Sequence, residues 1–410
     1  MLAAGRDGLP IRMVGSGHSF TGTALTDGVL LRPDRLAGLI AVDTATGRVT
    51  ARAGTRLRDL SRSLARHGLA LQNLGDIDAQ TIAGALATGT HGTGLGFGGL
   101  ATQLLALELV LADGSLVSCS PTERRDLFAA AAVGLGAFGI VTAVTLQCVP
   151  RFALHAVEEP ARLPDLLDGR FDALAREYDH VEFYWFPHTE DCQLKRNTRL
   201  PMDGSGQPLR PLSRLRYLLD DELLSNAVFG ATCRLGNRVP AVIPPVNNTA
   251  MRLLGRREYV DASYLVFASR RRVRFHEMEY AVPRAALPDL LREIDATIRR
   301  RGWRISFPVE VRVAAADSVW LSTAYGRETA YVAVHQYVRT PYQEYFDAVE
   351  AIAGAVGGRP HWGKLHGLDA AVLRLRYPKH SDATRLRAAA DPEGRFANAY
   401  LDRVLGPLPS

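Results

Sequence analysis

The run Gly15-Ser16-Gly17-His18-Ser19-Phe20 constrains the fold more than any other segment of the chain. It follows an apolar strand-like stretch at 11–14, and its glycines let successive backbone N–H groups turn toward an anion with no Cβ in the way. A Rossmann dinucleotide turn needs a third glycine and a helix straight after the loop. Here the chain continues Thr21-Gly22-Thr23-Ala24-Leu25-Thr26-Asp27-Gly28, a poor helix former, so that fold is disfavoured. Taken alone, the same residues also suit an ordinary tight turn. A second loop, Ala83-Gly84-Ala85-Leu86-Ala87-Thr88-Gly89-Thr90-His91-Gly92-Thr93-Gly94, packs small residues densely enough for a flat or elongated ligand to lie against the backbone. A nucleoside-triphosphatase loop would require a lysine after its last glycine, and no lysine precedes Lys195. Two such loops in one region point to an elongated phosphorylated ligand.

Around these loops the pattern is mixed α and β. The stretch 48–53 alternates as a strand, and Leu57, Leu60 and Leu64 recur at helical spacing, with Thr55 placed to cap that helix and Gly68 to end it. Apolar runs at 104–112 and 115–118 flank Asp113-Gly114, a dipeptide suited to a tight hairpin. A helix near 126–132 and the glycine-rich segment 134–139 lead into the strand Ile140–Gln147. Pro150 marks a change to weaker periodicity, including a proline- and glycine-rich stretch at 201–211. Regular alternation returns with strands at 264–268 and 277–282, a helix at Leu287–Arg301, strands at 307–314 and 329–338, and a helix at 342–356 stopped by Gly357-Gly358. The boundary therefore falls near 150, with no internal repeat on either side.

Composition narrows the function. A chain of 410 residues, 47% hydrophobic and 22% charged, is globular and long enough for two or three domains. The net charge of +6 is scattered along the chain and forms no basic stripe, so no nucleic-acid partner is implied. Cys119, Cys148, Cys192 and Cys233 lie too far apart to assemble a zinc site and read as reduced structural residues. With no apolar run of membrane-spanning length and no secretory start, the expectation is a cytoplasmic protein without an integral membrane segment.

Five motifs occur in order: Val14-Gly15-Ser16-Gly17-His18-Ser19-Phe20-Thr21, Asn73-Leu74-Gly75-Asp76-Ile77-Asp78, Thr81-Ile82-Ala83-Gly84, Thr88-Gly89-Thr90-His91-Gly92-Thr93-Gly94 and His361-Trp362-Gly363-Lys364. This set resembles the sugar-1,4-lactone oxidases, including the L-gulono- and D-arabinono-lactone oxidases, and more distantly the alditol oxidases, all within the vanillyl-alcohol-oxidase flavoproteins. The resemblance spans nearly the whole chain. It implies an α+β fold in which a two-subdomain FAD-binding domain at 1–150 precedes an α+β cap or substrate domain at 151–410, whose last segment returns to the FAD domain. It further implies FAD held by Gly15, Ser16, Gly17, His18, Ser19, Gly75, Asp76, Thr81, Gly84, Thr88, Gly89, Thr90, His91, Gly92, Ile140 and Lys364. His18 would be joined covalently to the flavin 8α-methyl carbon, and the absence of a cysteine near the second loop implies that link alone. Family members generally carry a further strand and helix ahead of the first loop; either the start of this chain is truncated or misassigned, or part of the first subdomain's sheet is absent and cofactor retention is weakened. The implied reaction is hydride transfer from a sugar lactone or polyol to flavin N5, with molecular oxygen as acceptor and hydrogen peroxide as product. A glycine at position 75 is associated with oxygen access, whereas alanine marks related dehydrogenases.

Three groups of residues emerge as candidates for the chemistry. In Phe307-Pro308-Val309-Glu310-Val311-Arg312-Val313 the apolar positions face one way and Glu310 and Arg312 the other. That pair is either a solvated ion pair or a catalytic pair projecting over the flavin, and the family's Glu-x-Arg pattern supports the second. At 329–338 the same alternation offers His335 and Tyr337 as substrate-binding candidates beside a structural alternative. Lys364 occupies a motif in a chain whose only other lysines are Lys195 and Lys379. Its ammonium suits either an exposed surface or the developing negative charge at the flavin, and the resemblance favours the latter. A turn with Asp76 or Asp78 as helix cap fits Gly75-Asp76 equally well.

Overall fold

Two antiparallel sheets divide the chain, and the computed structural model describes all residues except 203–207, 214–228, 254, 270–272 and 410. Part of the 201–211 stretch thus lies outside the described residues. The first sheet has five strands in the order Leu39–Asp43, Arg48–Arg52, Ile140–Gln147, Leu104–Val110 and Leu116–Cys119. Ile11–Met13 pairs separately, in parallel, with Val29–Leu31 just before the first glycine loop.

The helix Leu57–Arg66 packs Leu57, Leu60 and Leu64 onto this sheet's core, because a three-to-four-residue recurrence puts them on one face. Gly68 at φ +74 ends it as expected. Thr55 does not cap it. Its hydroxyl donates to the Arg52 carbonyl at 2.7 Å and accepts from the Gly38 N–H at 2.9 Å, and Arg56 occupies the capping position without a side-chain bond. The same core includes Leu373, Tyr377, Leu401 and Val404 from the helices Ala370–Arg376 and Ala399–Leu405 and the residue just beyond the first, so the end of the chain packs back onto the first sheet.

The second sheet has eight strands: Arg257–Ala262, Phe152–Arg162, Asp191–Pro201, His180–Trp185, Val309–Ala314, Thr329–Tyr337, Phe275–Pro283 and Arg359–Pro360. The two-residue period gives it two unlike faces. Phe183, Leu194, Met278, Val309, Val311, Val313, Val332 and Val334 join a core with Leu290, Leu291, Ile294 and Ile298 of the helix Leu287–Arg301. That helix follows its sequence signals closely: Pro288 in the first turn, three arginines in the last and Gly302 beyond at φ +65. The opposite face carries Glu182, Tyr184, Glu277, Glu279, Glu310, Arg312 and His335, all buried. Segment 264–268, expected as a strand, is instead mostly within the short helix Ser263–Phe267. Phe267 there meets the rings of Phe152 at 6.3 Å and His180 at 4.9 Å, and this packing overrides the β-leaning composition.

Candidate active site

The charged face of the second sheet closes over the ends of the two glycine loops around one cavity, and a larger cavity adjoins it between those loops and the first sheet. The larger, about 290 Å³, is lined by Gly15, Ser16, Gly17, Thr81, Gly84 and Ile140 among others. The smaller, about 150 Å³, is lined by Gly75, Asp76, Thr90, His91, Glu277, Glu279, Glu310, Arg312, His335, His361 and Lys364. His18, Ser19, Gln80 and Thr88 line both, so the imidazole of His18 stands at their junction.

The cradle depends on close backbone approach. A Cβ at Gly15 would collide with the Thr81 hydroxyl, and one at Gly84 would lie 3.0 Å from the same oxygen. Thr81 is busy there, accepting the Gly84 N–H at 3.3 Å as N-cap of the helix Ile82–Ala87. Gly17 takes φ +70, a left-handed conformation that favours glycine. Ser16 donates to the Ala79 carbonyl at 2.6 Å, and the Phe20 N–H donates to the Gly363 carbonyl at 2.8 Å. The first loop is therefore tied to the turn that carries Lys364. That turn is fixed in its own right: Trp362 is fully buried, donates to the Leu321 carbonyl at 2.7 Å and stacks on Tyr377 at 4.7 Å. The N–H groups of His361 and Leu365 donate to Glu279 and Glu277 carbonyls at 2.9 Å.

Register places the charges. Glu310 lies opposite Ala333, which lies opposite Glu279 on the next strand, and Glu277 lies opposite His335. Arg312 binds three carboxylates: Glu182 through Nε at 2.8 Å, and Asp76 and Glu310 through its terminal nitrogen. Burial opposes the Arg312 charge, and Asp76, Glu310 and Glu182 outweigh it, holding the guanidinium firmly protonated. Lys364 pairs with Glu277, whose other oxygen lies 3.4 Å from His335 Nε2. Burial pushes the Glu277 carboxyl up, yet Lys364 and His335 hold it below the ordinary carboxylate range. Glu279 is likewise pushed up by burial and brought down to about 2, chiefly by His91. The His18 imidazole is lowered by burial and by the charges of Lys364 and Arg56, which keeps the ring neutral at pH 7.

Most of the expected site residues meet here. Glu310 and Arg312 are a buried pair, not a solvated one. Asp76 caps no helix, since Thr81 does that; from the loop ahead of that helix it binds Arg312 of the second sheet. Tyr337 packs with Cys233 and Phe307 and lines neither compartment. Gly89, at φ +77, and Gly92, wedged against Asn73 and Leu74, shape the second loop without lining either compartment. Sequence reading passed over Glu277, Glu279 and His361. The signal was present, because Glu277 and Glu279 alternate with the apolar Met278 and Tyr280 just as Glu310 and Arg312 alternate with valines.

His91, Glu279 and His361 bring potential metal-ligand atoms within 4.8 Å of one another. Hydrogen bonds orient both rings. The Gly92 carbonyl accepts the His91 Nδ1 proton at 2.9 Å, and His91 Nε2 faces Glu279 at 3.2 Å. His361 Nδ1 accepts the Gly363 N–H at 3.1 Å, which leaves the proton of the neutral ring on Nε2. The cluster forms a polar wall of the smaller compartment.

A small-residue cradle opening past a neutral imidazole onto a polar chamber is the arrangement of an FAD-linked oxidoreductase, and residues 1–120 match the FAD binding domain family model. The cradle that a Cβ would fill at Gly15 and Gly84 fits an extended dinucleotide lying against the backbone. The D-arabinono-1,4-lactone oxidase family model matches residues 144–404. The L-gulono-1,4-lactone dehydrogenase of Mycobacterium tuberculosis (strain ATCC 25618 / H37Rv) is 42% identical, over 98% of this chain and 92% of its own. The L-gulonolactone oxidase of Bos taurus is 34% identical over 96% and 89%, and the alditol oxidase of a Streptomyces species 34% identical over 95% and 89%. Cholesterol oxidase from Brevibacterium sterolicum aligns with a TM-score of 0.81 at 20% identity, over 98% of this chain and 90% of that one, a likeness of fold. The chain belongs to the D-arabinono-1,4-lactone oxidase family. Among the described residues no helix is long and apolar enough to cross a membrane.

Proposed function

We propose that the protein oxidises a sugar 1,4-lactone of the L-gulono- or D-arabinono- type, with FAD linked covalently through His18 and molecular oxygen as electron acceptor. The observation that carries this reading is the junction at His18, where the cofactor cradle meets a chamber holding Glu310, Arg312 and Lys364. Bound FAD supplies a two-electron acceptor for the hydride of the substrate carbon. Gly15 to Ser19, Thr81, Gly84, Thr88 and Ile140 hold it, and the lowered pKa of His18 leaves that ring neutral and nucleophilic.

In the chamber, Arg312 and Lys364 offer cationic donors to the hydroxyl and carbonyl oxygens of a lactone, and their carboxylate partners hold each donor in one orientation. The hydroxyl proton is received within the Glu310–Arg312–Lys364 group. Burial strengthens these contacts relative to water. The name of the Mycobacterium tuberculosis relative favours a second reading, in which an acceptor other than oxygen takes the electrons.

Incubation with L-gulono-1,4-lactone in air should bleach the flavin transiently and release hydrogen peroxide. Bleaching that persists in air without peroxide selects the dehydrogenase reading, and faster turnover of xylitol than of any lactone selects a polyol substrate. Acid precipitation tests the link separately: yellow colour should stay in the pellet, and His18→Ala should release it.

A further inference from the structure

Arg12 is a charged residue of the cofactor cradle whose chemistry the reading above leaves unused. It stands on the strand Ile11–Met13, is 3% exposed, and lines the larger compartment. Its two terminal nitrogens donate to four backbone carbonyls drawn from three separate segments: Gly136 at 2.9 Å, Phe396 at 2.8 Å, Leu135 at 2.6 Å, and Thr23. Its Nε has no partner among the described residues. No carboxylate forms an ion pair with it among those residues, and burial, aided by Arg387 and opposed in part by the Asp391 carboxylate, lowers its pKa to about 10. A guanidinium whose direct partners are all carbonyl dipoles keeps its positive charge unpaired by any direct ion pair beside the cavity.

Holding a carbonyl also aims the other side of its peptide. The C=O and N–H of one planar trans peptide point in opposite directions. With the Thr23 and Leu135 carbonyls drawn to Arg12, the N–H groups of Ala24 and Gly136 are turned away from it. Both residues line the larger compartment, and neither N–H has a protein acceptor among the described residues. The peptide after Gly136 behaves differently, since the Ala137 N–H is spent on the Gly134 carbonyl at 2.8 Å.

We propose that Arg12 is a positioning residue for the anionic diphosphate of FAD, acting through its positive charge and through the two peptides whose N–H groups it turns away from itself. This rests on the FAD reading and is independent of which substrate the smaller compartment takes. A purely structural clamp would stabilise the fold and favour every flavin equally. A diphosphate-positioning residue favours FAD over riboflavin, which lacks the anion.

The test uses full-length protein carrying His18→Ala, so that flavin binds reversibly, and compares the dissociation constants of FAD and riboflavin by fluorescence quenching. Arg12→Met should weaken FAD about tenfold or more while changing riboflavin less than about threefold. Arg12→Lys, which keeps the charge but cannot hold all four carbonyls, should lower the FAD preference by an intermediate factor. A preference unchanged in whichever variant folds overturns the proposal. On the His18→Ala chain without further substitution, ADP should raise the melting temperature more than adenosine does, and equal shifts overturn it as well. Failure of FAD and riboflavin alike to bind the His18→Ala chain would count against the flavin assignment itself.

Discussion

Replacing Lys364 by methionine separates what its charge does for the reaction from what it does for the fold. The side chain pairs with Glu277, the two being 22% and 10% exposed, and its ammonium lies 5.5 Å from the Phe20 ring centre. Methionine keeps much of the stem packing and removes the charge. Stranding one member of a buried pair costs about 3–5 kcal/mol. With an unfolding entropy of about 2.1 cal/mol/K per residue, a cooperative chain of this length should lose roughly 3–6 °C in melting temperature. Acid should change that gap in a definite direction. In the parent, the depressed Glu277 pKa contributes stability that is present above the ordinary carboxylate value and lost as pH falls through the folded value. In the variant only His335 remains close to that carboxylate, burial raises its pKa, and the resulting penalty at neutral pH is relieved on acidification. The two melting temperatures should therefore converge between pH 7 and about pH 4.5. Anaerobic stopped-flow reduction of the flavin should slow by about 100- to 1000-fold, the loss typical of a preorganised donor at developing charge. Adding Glu277→Gln should recover most of the stability and little of the rate. Reduction within about threefold of the parent rate would remove Lys364 from the chemistry.

Arg312→Lys should raise KM and lower kcat together, by at least about 100-fold in kcat/KM, because an ammonium cannot span Asp76, Glu182 and Glu310 at once; steady-state kinetics with lactone checks this, and a kcat/KM within tenfold of the parent would contradict it. Gly75→Ala would place a Cβ 2.9 Å from the His91 carbonyl oxygen and 3.2 Å from Thr90 Cγ2. Thermal denaturation should show a loss of about 1–3 kcal/mol as the second loop shifts. All four cysteines are buried, and burial pushes Cys119 to about 11, Cys148 and Cys233 to about 12, and Cys192 higher than its ordinary value. A thiol reagent at pH 8 should find four reactive groups in denatured protein and fewer than one in the native state.

What was legible in the sequence follows from the range over which each structural signal acts. The helix Leu287–Arg301 and the strand Ile140–Gln147 have the bounds their patterns suggest, since periodicity and terminal residues are local properties. Glu310 and Arg312 were also readable, because strand alternation alone puts both on the face opposite the valines. Their burial was not, for it depends on which surface the sheet covers. Asp76 shows the limit plainly: its partner Arg312 lies 236 residues away, so a local reading could not tell a helix cap from the flavin-site residue that the resemblance implied. Glu277 and Glu279 carried the same alternating signature as Glu310 and Arg312 but acquire their meaning only through strand order. The register that puts Glu277 opposite His335, and the turn at 361–365 that brings Lys364 to it, are set by pairings no single segment encodes. Arg12 is the extreme case. Its neighbours come from the residues around 23, 135 and 396, so nothing near it in sequence distinguishes it from the other arginines of an arginine-rich chain. The surroundings of Arg12 depend on chain closure: only when the C-terminal segment returns to the first sheet does the Phe396 carbonyl reach Arg12, and a substitution that loosens that return, such as Leu401→Ala in the shared core, should raise the FAD dissociation constant of the His18→Ala chain in a fluorescence titration without touching the cavity.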